Sequence, residues 1–255
     1  MNDATPGPGQ MGGLIAHLLE LRARLLKAAL AVLLALLALL PFSEKLYGLL
    51  ARPLVERLPA GAHMIAIQVT GPFLTPIKLS VVLSLFLAMP VVLYQLWAFV
   101  SPGLYRHEKQ LALPLLVAAV LLFYAGCAFA YFLILPAAFH FLTMITPPGV
   151  SMMTDIGHYL SFVLHVFLAF GLCFEVPVVV VILAAMGVVS VEKLRSLRRY
   201  AIVLAFVVAA IITPPDALSM LLLAIPMILL YEIGVLAAAL LVRRRKVARD
   251  AAPPR

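Results

Sequence analysis

Residues 156–189 read IGHYLSFVLHVFLAFGLCFEVPVVVVILAAMGVV, and Glu175 is the one Asp, Glu, Lys or Arg among them. A hydrocarbon core of about 30 Å is crossed by roughly 20 apolar helical residues, so this run is long enough to span a bilayer. Pro177 sits inside it, two residues after the carboxyl. It has no N–H to donate, and its ring disturbs the carbonyl of Cys173 four residues back. An intramembrane carboxyl beside loosened backbone is expensive, and the expectation is a polar spot in a cavity or translocation path; a neutral Glu hydrogen-bonded to a neighbouring helix is the alternative.

Working outward, further apolar stretches occupy 25–42, 75–99, 110–136, 200–212 and 217–242. The chain of 255 residues is 65% apolar or aromatic and 12% charged, against roughly 45–50% and 25% in soluble domains. That excludes a soluble globular fold and a disordered one. It also disfavours a β-barrel, whose strands dilute hydrophobicity by alternation. The expected class is all-α, a polytopic membrane protein of six transmembrane helices. Stretch 200–212 is short, about 20 Å as a helix, and Thr213-Pro214-Pro215-Asp216 separates it from the last. Five spans with a re-entrant hairpin is the alternative. Pro90, Pro114, Pro136, Pro177 and Pro226 inside the runs suggest a kinked, curved bundle.

Net charge is +8. The N-terminal segment carries Arg22, Arg24 and Lys27, Arg106 and Lys109 follow the second span, and Lys193, Arg195, Arg198 and Arg199 follow the fourth. A further cluster begins at Arg243 after the last. With six spans all these fall on one side, leaving Lys45, Arg52, Arg57 and Lys78 opposite. The positive-inside rule then places both termini in the cytoplasm. The basic excess reads as an orientation signal near anionic lipid, not a nucleic-acid site. Residues 1–13, rich in Gly and Pro, are expected to be a disordered lead. Residues 14–242 form the membrane domain and 243–255 a basic tail. A helical face with His17, Glu20, Arg24 and Lys27 opposite Leu14, Leu18, Leu21 and Leu25 leads into the first span. Segment 43–58 reads as an interfacial amphipathic helix that Pro53 kinks or interrupts.

Catalytic signatures for phosphate binding, zinc hydrolysis or a serine nucleophile are absent from the sequence, so no enzyme activity, cofactor or metal is expected. Cys127 and Cys173 read as small buried residues. His158 and His165, two turns apart, read as packing or interhelical hydrogen bonding. Glu232 is expected to snorkel or pair with the Arg243 cluster. Glu20 and Glu108 lie on the basic side, each before an apolar run, with aromatic residues such as Phe99 nearby. Two carboxylates and a ring can hold a cationic segment; structural ion pairs with Arg22 and Arg106 are the alternative.

His17-Leu18-Leu19-Glu20-Leu21-Arg22, Phe73-Leu74-Thr75-Pro76-Ile77-Lys78, residues 94–109, Phe129-Ala130-Tyr131-Phe132, residues 155–162, Phe174-Glu175-Val176-Pro177, Thr213-Pro214-Pro215-Asp216 and Ala224-Ile225-Pro226-Met227 occur in order. Together they resemble the TatC family, the core subunit of the twin-arginine protein translocase, from about residue 14 to 242. The resemblance implies an inner-membrane receptor for Arg-Arg signal peptides of folded cargo. It also implies partnership with the single-span proteins TatA and TatB, self-association, and transport driven by the proton-motive force. It further implies that Glu20 and Glu108 clasp the two guanidiniums, that Phe99 and Leu21 line the site, and that Arg22 orients the acids. Glu175 would lie in a concave membrane face, and Pro53 would shape a periplasmic cap. Met220 stands where many bacterial relatives carry a glutamine, and His165 has no counterpart. A secondary transporter using Glu175 is the competing reading; an intramembrane protease lacks a nucleophile–base set.

Overall fold

The structure is a computed structural model and describes residues 8–55, 64–100, 109–145, 153–212 and 217–250. These form helices α1 (Pro8–Leu39), α2 (Ser43–Val55), α3 (Gly71–Val100), α4 (Lys109–Phe129), α5 (Leu135–Ile145), α6 (Ile156–Ala185), α7 (Val191–Ser196), α8 (Arg198–Ile212) and α9 (Ala217–Asp250). A 3-10 turn, Leu40–Phe42, joins α1 to α2, and a π-helical turn, Ala130–Ile134, joins α4 to α5.

Among the described residues, five helical segments are long and apolar enough to cross a membrane: His17–Arg52, Gly71–Phe99, Leu113–Phe141, Ile156–Ala185 and Met220–Arg244. The sixth expected span corresponds to α8, whose 15 residues reach about 22 Å, short of a bilayer core. The helix α1 begins at Pro8, earlier than the expected lead would end, since proline at a first helical position arrives with its φ already set. At the other end α9 carries the helix through the basic cluster to Asp250.

The helix α6 is the centre of the bundle, packed against α4 on one side and α9 on another, while α1 lies at the periphery against α3. Close crossings rest on small residues. A Cβ at Gly126 of α4 would stand 2.6 Å from the Phe170 carbonyl oxygen of α6, and one at Gly234 of α9 would stand 2.8 Å from Pro177 Cα. With little hydrophobic drive between helices in lipid, such contacts set the interhelical distance. The buried set around Phe123, Phe170, Val163 and Val166 fills the space so made.

Tyrosines satisfy carbonyls that prolines leave free. Pro90 offers no amide to Phe86, and the Tyr124 hydroxyl donates to that carbonyl at 3.1 Å. Pro53 offers none to Leu49, and the Tyr131 hydroxyl donates there, also at 3.1 Å.

Candidate functional site

Three places gather the singled-out residues. The first is the basic end of α1 where it meets the end of α3. The His17 ring stacks on Phe99, with centroids 4.4 Å apart and planes 22° from parallel. One turn on, the Glu20 carboxylate accepts from Arg24 Nε at 3.1 Å, and from the same guanidinium's second nitrogen. Leu21, Arg24, Leu25, Gln95, Leu96 and Phe99 wall a groove of about 160 Å³ beside this pair.

The structure thus brings Leu21 and Phe99 to one groove; Glu20 is not part of its wall but is paired to Arg24, which is. The ion pair expected from Glu20 to Arg22 is replaced by one to Arg24. Residues four apart share a helix face and residues two apart do not, so the spacing itself carried that signal. Arg22 is exposed and is not part of the groove wall. Glu108, with Arg106, lies outside the described residues.

The second place is Glu175, ten residues before the end of α6. Its Oε1 is buried and has no hydrogen-bond partner among the described residues. Pro177, two residues beyond, is buried against Gly234, so a kink-prone turn is braced from α9. A buried acceptor without a donor costs about 1–3 kcal/mol, which marks the position as a local expense in stability.

The third place is the cap on the face opposite the basic clusters. Here α2 runs as a helix to Val55, two residues beyond Pro53, and is held by its main chain. Tyr131 donates to the Leu49 carbonyl, and the buried Tyr159 donates to Leu50 at 2.7 Å. The side chain of Pro53 lies outside the described residues. The segment before α3 straps onto α6 by a parallel bridge, with Ile65 N–H donating to Thr154 O and Ile156 N–H to Ile65 O, both at 3.0 Å.

Asp155 completes that strap. As the N-cap of α6 it accepts from the amides of Gly157 and His158, and its other oxygen accepts from Ile67 N–H at 3.0 Å. The Ile67 and His158 amides, in that order, hold its carboxyl below the ordinary value of 3.8.

Other expectations meet different partners. Glu232 pairs with Arg198 of α8 at 2.8 Å, because the start of α8 lies beside that turn of α9 while Arg243 is three turns further along the same helix. His158 bonds Asp155, and His165 contacts the Ser161 carbonyl, so both histidines find partners within their own helix region rather than across helices. Cys173 is buried and Cys127 half-buried, both unbridged. The tyrosine caps and the Ile65 strap were not foreseen. Proline four residues after a carbonyl was the available signal for the two caps; the tyrosine that answers each comes from a distant part of the chain.

Set beside known proteins, residues 16–226 match the model of the family described as Sec-independent protein translocase protein (TatC). The Sec-independent protein translocase protein TatC of Azotobacter chroococcum mcd 1 is 53% identical over 250 residues, covering 98% of each chain. That of Escherichia coli strain K12 is 54% identical over 222 residues, covering 87% of this chain and 86% of its own. A crystal structure of the twin-arginine translocase receptor TatC superposes with a TM-score of 0.79 at 40% identity, covering 88% of this chain and 98% of the other.

Proposed function

The chain belongs to the TatC family of Sec-independent protein translocases, and from that premise we propose that the α1–α3 end described above receives the Arg-Arg signal peptide of folded cargo. Glu20 and Glu108 take the two guanidiniums, each able to accept a forked pair of N–H donors. Leu21 and Phe99 supply the apolar wall for the residues that follow the arginines. Arg22 keeps the acids oriented, together with Arg24, which already holds Glu20.

The observation that carries this reading is the His17–Phe99 stack. It closes α1 onto α3 beside a groove lined by Leu21 and Phe99, with Glu20 held next to it by Arg24. An acid beside a groove of apolar residues suits a ligand that is cationic first and apolar next.

In the same reading the chain makes six spans in the cell inner membrane with both termini in the cytoplasm. The helix α8 crosses by thinning the bilayer locally. Its partners are TatA- and TatB-type single-span proteins and further copies of itself, and the proton-motive force drives transport. Glu175 serves the transport step, and Pro53 gives the cap its shape. The protein acts as a receptor and conduit without catalysis. Residues 14–242 are the working membrane domain, with a lead and a basic tail outside it.

The test is binding of a fluorescent signal peptide to the purified chain in nanodiscs. The Arg-Arg peptide should bind at least about tenfold more tightly than its Lys-Lys counterpart, and Glu20→Ala or Glu108→Ala should remove that margin. Equal binding of both peptides to the unaltered protein contradicts the proposal.

A further inference from the structure

A cavity of about 400 Å³ lies elsewhere, between α6, α8 and α9. Leu172 and Val176 form one wall, Ala201 and Ala205 the second, and Met227 and Tyr231 the third. It runs lengthwise along α8, with Ala201, Leu204, Ala205, Val208 and Ile212 in its lining. Leu172 and Leu204, 53% and 62% exposed, stand on its open side, which faces the surroundings of the bundle.

Its lining selects an occupant. Eleven helical rises give it a length of about 16 Å along α8, and its walls are almost wholly apolar side chains. An apolar trough of that length suits an extended hydrocarbon chain.

The mouth is charged. Arg198 lies on the groove face of α8, three residues before Ala201, and its guanidinium reaches Glu232 with one nitrogen at 2.8 Å. A guanidinium has five N–H donors, so one such contact leaves others for an anion. Lys193, Arg195 and Arg199 lie within five residues of it. Tyr231 lines the groove with its ring while its hydroxyl donates to the Leu194 carbonyl at 2.7 Å, tying α7 to α9 and holding the mouth in place. The basic residues thus stand beside the end of the groove that Ala201 and Tyr231 line.

We infer that this groove binds one anionic glycerophospholipid, an acyl chain along α8 and the phosphate at Arg198 with Arg195 and Arg199 around it. Basic pockets between membrane helices bind anionic headgroups in this way. The lipid belongs to the leaflet on the side of the basic loop. The inference is independent of where the signal peptide binds.

The test is native mass spectrometry of the full chain in detergent, with phosphatidylglycerol and phosphatidylcholine of matched acyl chains offered together. The unaltered protein should retain one phosphatidylglycerol with a preference of about fivefold or more, the effect of a single basic residue near an anionic group. Arg195→Gln with Arg199→Gln should reduce that preference while some lipid of either kind is kept, and Arg198→Gln should reduce it further. Leu172→Trp, at an exposed position on the groove wall, should lower retention of both lipids. Equal retention of the two lipids by the unaltered protein overturns the inference. So does an unchanged preference in the arginine variants, undiminished retention in Leu172→Trp, or a dimer mass appearing in place of the lipid.

Discussion

The Tyr131 hydroxyl donates to the Leu49 carbonyl at 3.1 Å, the acceptor that Pro53 leaves without a helical amide. The phenol comes from the π-helical turn between α4 and α5 and the carbonyl from the cap helix α2. The proline that weakens α2 internally therefore creates the point by which the bundle grips it. Tyr124 does the same for Phe86 above Pro90.

This relationship makes the two residues non-additive. Tyr131→Phe should lower the unfolding free energy by about 0.5–1.5 kcal/mol in detergent, the ordinary worth of a hydrogen bond. In a Pro53→Ala background the new amide can reach Leu49, so the same change should cost less. Thermal unfolding of the four proteins in a double-mutant cycle reads the coupling. Additive effects would show that the phenol does not answer the proline.

Asp155 gives a pH dependence with a definite sign. Its carboxyl is held below 3.8 by amides that exist only in the folded chain. The stabilisation is present in full above the unfolded value and is lost as pH falls through the lower folded value. The hydrogen-exchange protection factors of the Ile67, Gly157 and His158 amides, taken relative to the intrinsic rate at each pH, should therefore hold down to about pH 4 and fall below it. Asp155→Ala should show fast exchange at those amides already at neutral pH.

Glu175 separates transport from binding. Replacing it with leucine removes a buried oxygen without a described donor, so the unfolding midpoint should hold or rise. Export of a folded reporter should fall while signal-peptide affinity stays within about twofold of the unaltered protein. Equal loss of export and affinity would make the residue structural.

Gly126 and Gly234 test the packing. A methyl group at either meets backbone atoms at 2.6 and 2.8 Å, which cannot rotate away as a side chain can. Gly126→Ala and Gly234→Ala should each destabilise by about 1–3 kcal/mol, read as a lower unfolding midpoint. Gly48→Ala, with open space around it, serves as the control and should leave the midpoint nearly unchanged.

What was legible in the sequence follows from the range of the forces involved. The long spans are written in composition, because lipid demands an unbroken apolar surface over a fixed length. The stretch 156–189 matches α6 within four residues at its end. The ion pair of Glu20 with Arg24 is local and was available from spacing. The partner of Glu232 was not, since Arg198 reaches it only after α8 folds back beside α9. The same holds for Tyr159, which answers Leu50 from 109 residues away. Prolines announced where the backbone would need help, but the helpers became visible only in the packed bundle.

The central claim is that the α1–α3 groove is where the Arg-Arg signal peptide lies. Photoreactive residues placed at Leu21 and at Leu96, both on the groove wall, test it directly in native membranes. Each should crosslink to the Arg-Arg peptide and lose the crosslink when the pair is changed to Lys-Lys, while a probe at the exposed Leu133 should give none. Crosslinks at Leu133 but not at Leu21 and Leu96, or equal crosslinking of both peptides at the groove, would contradict the account.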